Sequence, residues 1–385
     1  MIYIEHLKKS LDDCRDSIRL LLKKSGLMLK GIFKNGTREA HKYRNVTFLD
    51  LGQADIELFI LVDSCEQRKD ICFIRRNRYG YHIYIKNFPL YIIVHGHLFK
   101  LALMPSRIFY DVELLLRSHL QLAASTHLYY SEILYDTDDF LARIKREIME
   151  KFPKKEYVRA RLDFVYNLAH QKIREYLEEP AYRRRTLKSI WDGPIWALMS
   201  AGNLIITQQL LPPTFRRHLV MVRFLLEKLN MRHLYDELLE VWGFKNLSRK
   251  DVEEYYQKMK EAYDTLIKLG IEDCIINKTI RSFLFNGLKE MLDLGYILES
   301  VFPILRTFSR MDYVLRKRKI KARNIGLVSL KAGYELLESC GWDINSINEK
   351  IISIRSILDK FYVITLELLD HEEIKRNTNS RKQVM

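Results

Sequence analysis

The sequence predicts an α+β chain: a small α/β domain, built as a mixed sheet with flanking helices, followed by a large all-helical region. Three observations carry this. Short runs rich in Ile, Phe, Tyr and Val, each bounded by turn residues, crowd residues 27–95. From about residue 106 the apolar spacing changes to three and four and stays so. Ahead of the strands, residues 3–25 place Ile4, Leu7, Leu11, Cys14, Ile18 and Leu21 on one helical stripe.

In chain order, Gly26 is the stop of that first helix. The run 27–33 (LMLKGIF) reads as a short buried strand, 34–36 (KNG) as a turn, and a polar loop runs on to about 45. Strands are expected at 55–62, 70–76, 80–88 and 90–95. Helices are expected near 106–122, 138–152, 156–178, 182–210, 214–229, 232–242, 248–269, 272–294, 325–340 and 345–370. Pro212 and Pro213 end one helix, and Thr214 is placed to cap the next. Ser248 with Asp251 resembles a capping box. Three domains are expected, 1–135, 136–245 and 246–385, the last with a frayed tail.

Of 385 residues, 48% are apolar and 29% charged, with a formal net charge of +15. That excess fits RNA, nucleotides or another polyanion as partner, or simply solubility at high temperature. Five cysteines, scattered and without a C-x-x-C pair, argue against a disulfide framework or structural zinc and for a reduced, cytoplasmic setting. The uncharged stretch 193–214 contains Asn203, Gln208 and Gln209, amides that are costly in lipid. It reads as a helix buried in protein, and no membrane partner is expected.

Asp55 and Glu57 open the second strand. Residues i and i+2 share a face, so two carboxylates stand side by side while Ile56 and Leu58 point into the core. Such a pair suits Mg²⁺ or Mn²⁺ bound together with phosphates, and equally suits an ordinary half-exposed strand.

An amphipathic helix, a short apolar strand, a basic Gly-containing turn and then "ADIELFILVD" resemble the catalytic domain of the DNA polymerase β-like nucleotidyltransferase superfamily, including its kanamycin nucleotidyltransferase-like and archaeal members. The segment 131–148 is similar to the stretch where those proteins enter their helical part. The resemblance covers about the first 150 residues. It implies that Asp55 and Glu57 hold a metal ion on a nucleoside triphosphate and serve as catalytic residues. It also implies that Lys34, Asn35, Gly36 and Arg38 meet the phosphates, although Lys34-Asn35-Gly36 reads as well as a plain turn.

The family's Gly-Ser pair is absent, and no Asp or Glu occurs between Ile71 and Tyr110, where its third carboxylate belongs. His95 and His97 are i and i+2 and are candidates to line the same cleft. Farther on, 306–324 carries eight Arg or Lys against Asp312. Arg316, Lys317, Arg318, Lys319, Lys321 and Arg323 are its candidate contacts to nucleic-acid phosphates, unless the run is a solvated face. Three functions stay open. The first is an enzyme moving a nucleotidyl group to an RNA, a protein or a small molecule. The second is a catalytically degenerate relative acting as a nucleic-acid-binding or assembly subunit. The third is a helical scaffold with an unrelated cap.

Overall fold

The structure is a computed structural model. It describes residues 2–24, 27–34, 56–63, 72–77, 80–85, 91–95, 97–117, 122–180, 186–272, 276–320, 328–343 and 346–382. The chain divides into two compact units, one of Met1–Arg161 with Leu210–Pro212, the other of Leu162–Gln209 with Pro213–Met385.

In the first unit, helix α1 (Ile2–Lys24) leads into β1 (Met28–Lys34) and β2 (Ile56–Asp63). A hairpin of β3 (Cys72–Asn77) and β4 (Gly80–Ile85) follows, then β5 (Tyr91–Val94) and β6 (His97–Pro105). The strand β7 (Ile133–Asp136) comes later. Five strands form one sheet in the order β5-β6-β2-β1-β7. Only β2 and β6 run parallel in it; the other pairs are antiparallel, so the sheet is mixed as expected.

Both faces of the sheet are covered, which is why β2 reads as an unbroken apolar run. On one face Leu58, Ile60 and Val62 pack with Leu11, Cys14, Ile18 and Leu22 of α1. Leu22, one place along from the expected Leu21, closes the stripe. On the other face Phe33 stacks on Phe59 at 4.9 Å and meets Phe109 edge-on at 6.0 Å. Helices α2 (Val112–Arg117), α3 (Leu122–Tyr130) and α4 (Phe140–Lys151) belong to this unit. At Gly31 a Cβ would stand 2.4 Å from Leu141 Cδ1, so α4 packs on bare backbone there. The Asp136 carboxylate accepts the Leu141 and Ala142 amides at 2.8 and 2.9 Å and so fixes the start of α4.

Two strands were not expected. In β6, Lys100 breaks the apolar run and no Gly or Asn marks its end. β7 is four residues inside a helix-like stretch and exists because its backbone completes the edge beside β1. The expected 106–122 helix is instead a 3₁₀ turn, Ser106–Tyr110, then α2.

The helix α5 (Lys155–Glu178) contains the division at 161/162. In the second unit follow α6 (Leu187–Ile190), a π turn (Trp191–Ile195) and α7 (Trp196–Gln208). Pro194 lies inside the π turn; without an N–H it cannot close an α bond, and the turn absorbs the misfit. All 13 residues of α7 are buried, as the uncharged stretch predicted. Then come α8 (His218–Lys228), α9 (Arg232–Trp242), α10 (Arg249–Lys268), α11 (Lys278–Asp293), α12 (Ile297–Lys317), α13 (Ala332–Ser339) and α14 (Ile347–Lys382). The α12 helix was not expected, because Pro303 and the basic run hide its period.

The capping box is present: Ser248 N donates to Asp251 Oδ2 at 2.8 Å, and Asp251 N to Ser248 Oγ at 3.2 Å. Thr214 is no cap. The helix starts at His218 behind Arg217, and the Thr214 hydroxyl finds no partner among the described residues. No described helix is long and apolar enough to cross a membrane.

Candidate functional site

The C-terminal end of β1 and the N-terminal ends of β2 and β6 meet at one end of the sheet, because Lys34 lies abreast of Leu58 and Ile56 abreast of Phe99. This is where the sequence placed its acids. Of the predicted group, Lys34 and Glu57 are described; Asp55, Asn35, Gly36 and Arg38 lie outside the described residues.

The register separates the two. Glu57 is in step with Lys100 of the parallel strand β6, so both side chains rise from one face. Lys34 is in step with Leu58 and therefore rises on the α1 face. The backbone N–H of Lys34 donates to the Glu132 carbonyl at 3.1 Å, tying this end of β1 to the approach to β7.

Glu57 Oε1 accepts from Lys100 Nζ at 2.5 Å, with the side chains 21% and 40% exposed. Below Glu57, the next residue on its face is Phe59, flanked by Phe33 and by the His127 ring at 5.2 Å. An apolar floor next to a half-buried carboxylate strengthens its demand for a positive partner. At the far end of the same face Asp63 accepts from Ser106 Oγ.

Lys100 stands beside Glu57 on the neighbouring strand. β6 is the strand beside β2, and its residues on Glu57's face are Lys100, Ala102 and Met104. Among the described residues no group of three His, Cys, Asp or Glu could hold a metal ion. At Glu57, the one described member of the acid pair, an ammonium faces the carboxylate. The sequence shows Lys100 as one cation in an acid-free stretch; pairing it with Glu57 needs the strand register, which no local spacing carries.

The two histidines do not stand on the face of Glu57. His95, with φ 48°, forms the β5–β6 turn and meets Asp13 Oδ2 of α1 at 2.7 Å through Nε2, while His97 pairs with Val94 at the start of β6, two places before Phe99 of the α1 face. Cys14 and Cys340 are free and buried, and burial pushes both thiols up to about 12, which leaves them poor nucleophiles.

In the basic run, Arg316 and Lys317 close α12, and Arg318 and Lys319 form the turn after it; Lys321 and Arg323 lie outside the described residues. Arg316 donates to Asp312 Oδ2 at 2.8 Å and to the Tyr334 hydroxyl at 2.9 Å. Arg318 donates to the Gly270 and Glu272 carbonyls at 3.4 and 2.5 Å. Arg316 thus ties its own helix to α13 and Arg318 holds the turn after α10, while Lys317 and Lys319 are exposed.

No protein-family model matches the chain, and no curated protein matches it. Among solved structures, a nucleotidyltransferase-like protein from Exiguobacterium sibiricum 255-15 is 12% identical over 77% of this chain and 83% of its own, with a TM-score of 0.28. So loose a superposition carries no weight for fold or function.

Proposed function

We propose that this chain is a nucleotidyltransferase-like protein that holds nucleoside triphosphate phosphates at the sheet end around Glu57 and serves as a binding or assembly subunit without transferring the nucleotidyl group. The order of α1, β1, β2 and the acid at the head of β2 supports the class. One observation carries the loss of transfer: Lys100 stands abreast of Glu57, on the strand next to it, at 2.5 Å. Transfer by a metal requires carboxylates around the ion that activates the acceptor hydroxyl. A lysine there neutralises the acid that the ion would need, and its remaining N–H donors can still meet a phosphate oxygen.

Calorimetry with ATP tests this in four arms: wild type with Mg²⁺, wild type with EDTA, Asp55→Ala and Lys100→Ala. The expected result is binding that survives EDTA in the wild type and weakens roughly tenfold, about 1.4 kcal/mol, in Lys100→Ala. Incubation with α-labelled nucleotides and total RNA is expected to transfer no label. Label transfer abolished by Glu57→Gln would replace this reading with the enzymatic one, in which Asp55 and Glu57 hold Mg²⁺ or Mn²⁺. Absence of ATP binding in every arm would remove both.

A further inference from the structure

The basic clusters at 188, 215–217 and 306–317 come together within the second unit, around two aromatic rings. Along α12, residues 306, 310, 313 and 317 are spaced four, three and four and lie on one stripe. The Arg310 guanidinium sits 4.8 Å from the centroid of the Tyr313 ring, and Lys188 of α6 lies 5.3 Å from the same ring. One turn back, Arg306 lies over Phe215 at 4.0 Å. Phe215 brings Arg216 and Arg217 with it. Gly287 leaves room for that arginine: a Cβ would stand 2.6 Å from Arg216 Nη1, which donates to the Phe283 carbonyl at 3.2 Å. Asp192 bonds Lys188, so an acid does reach the stripe. Asp312 faces away and is engaged by Arg316 and Tyr334; Glu299, on the same side as the stripe, is 4% exposed and accepts from Arg223 and Tyr235.

We propose that this stripe, Lys188–Tyr313–Arg310–Arg306–Phe215 with Lys317 at its end, binds single-stranded nucleic acid. The stripe spans about 16 Å of helix, roughly 11 residues at 1.5 Å each, room for a few nucleotides. Its composition is what such a strand requires: cations for phosphates, interleaved with rings that offer a face to a base and guanidinium planes that stack. The rings also hold the long side chains in place, so less freedom is lost when the strand arrives. A membrane surface would call for exposed apolar anchors, and Tyr313 and Phe215 are partly buried. The stripe shares Lys317 with the 316–323 run but not Arg316 and Arg318, which are engaged by Asp312, Tyr334 and backbone carbonyls. It is also independent of the nucleotide reading.

Fluorescence anisotropy of the full chain with a labelled 20-nucleotide oligo-U tests it. Binding is expected at 50 mM KCl and should weaken steeply by 200 mM, through counterion release. Arg306→Ala with Arg310→Ala should cost at least about tenfold in affinity and flatten the salt slope. Tyr313→Leu keeps every charge and should weaken binding several-fold, roughly 5-fold or more if one base stacks there. Lys317→Glu, an exposed change that disturbs no packing, should weaken binding even if the arginine variant folds poorly. ATP binding should be unchanged in all of them. No binding at 50 mM KCl would overturn the proposal. So would oligo-U and dextran sulfate binding equally well with Tyr313→Leu neutral, since that marks generic attraction to any polyanion. Loss of ATP binding alone would leave it standing.

Discussion

At Glu57 a carboxylate on a strand with an apolar floor needs a positive partner, and Lys100 supplies it from the next strand. Lys100→Asp would put two acids abreast on strands about 4.8 Å apart. That variant is expected to gain Mn²⁺ binding, seen as loss of free-ion signal in electron paramagnetic resonance, and to be less stable than wild type in EDTA. His218 behaves differently. Burial pushes its imidazole down to about 3, with the Met199 carbonyl pulling the other way, although neither ring nitrogen has bond geometry to a described partner. The unfolded imidazole titrates near 6.5, so below that pH the unfolded chain takes up a proton that the folded chain refuses. The stability contributed by the neutral ring is complete above 6.5 and declines as pH falls toward 3, by at most about 1.4 kcal/mol per pH unit. Urea midpoints at pH 7 and pH 5 should therefore differ less in His218→Gln than in wild type. At Gly243 the backbone has φ +77°, and a Cβ would stand 2.0 Å from the Cys340 carbonyl oxygen. Gly243→Ala should cost about 2 kcal/mol or more, read by urea denaturation.

Among the elements, α7 shows what full burial demands. Ser200 returns its hydroxyl to the Trp196 carbonyl at 3.0 Å, but the Thr207 hydroxyl finds no partner among the described residues. Thr207→Val keeps the shape and removes a desolvated hydroxyl, so it should raise stability by about 1 kcal/mol, measured as a higher thermal midpoint. This helix was legible from sequence because an uncharged run with a few amides has one good environment, the inside of a helical bundle. α1 was legible for the opposite reason, a narrow stripe that only a sheet face could cover. β6, β7 and α12 were not. Whether Ile133–Asp136 becomes a strand depends on a free backbone edge beside β1, and Pro303 sits inside α12 where residues 299–305 are all buried, a packing that local spacing does not reveal. The site divides in the same way. Spacing placed Glu57 on the face of β2 opposite Ile56 and Leu58, but Lys34 on the other face and Lys100 beside it are facts of register, and register is set by partners far along the chain.

The whole molecule carries +15, and most of its described ion pairs sit at the surface, where each contributes little. Self-repulsion should then outweigh what salt takes from those pairs. The thermal midpoint is expected to rise as KCl goes from about 10 mM to about 300 mM, the range over which the screening length shrinks from roughly 30 Å to under 10 Å. A falling midpoint would mean that the ion pairs matter more than the excess charge. The 13 enclosed residues of α7 also set a schedule for synthesis. Their most extensive helical cover is α14, which begins at Ile347, some 140 residues later in the chain. A ribosome adding about 5–20 residues per second leaves that oily rod uncovered for many seconds. Nascent chains halted before Ile347 should thus be clients of holding chaperones, and those released past α14 should not.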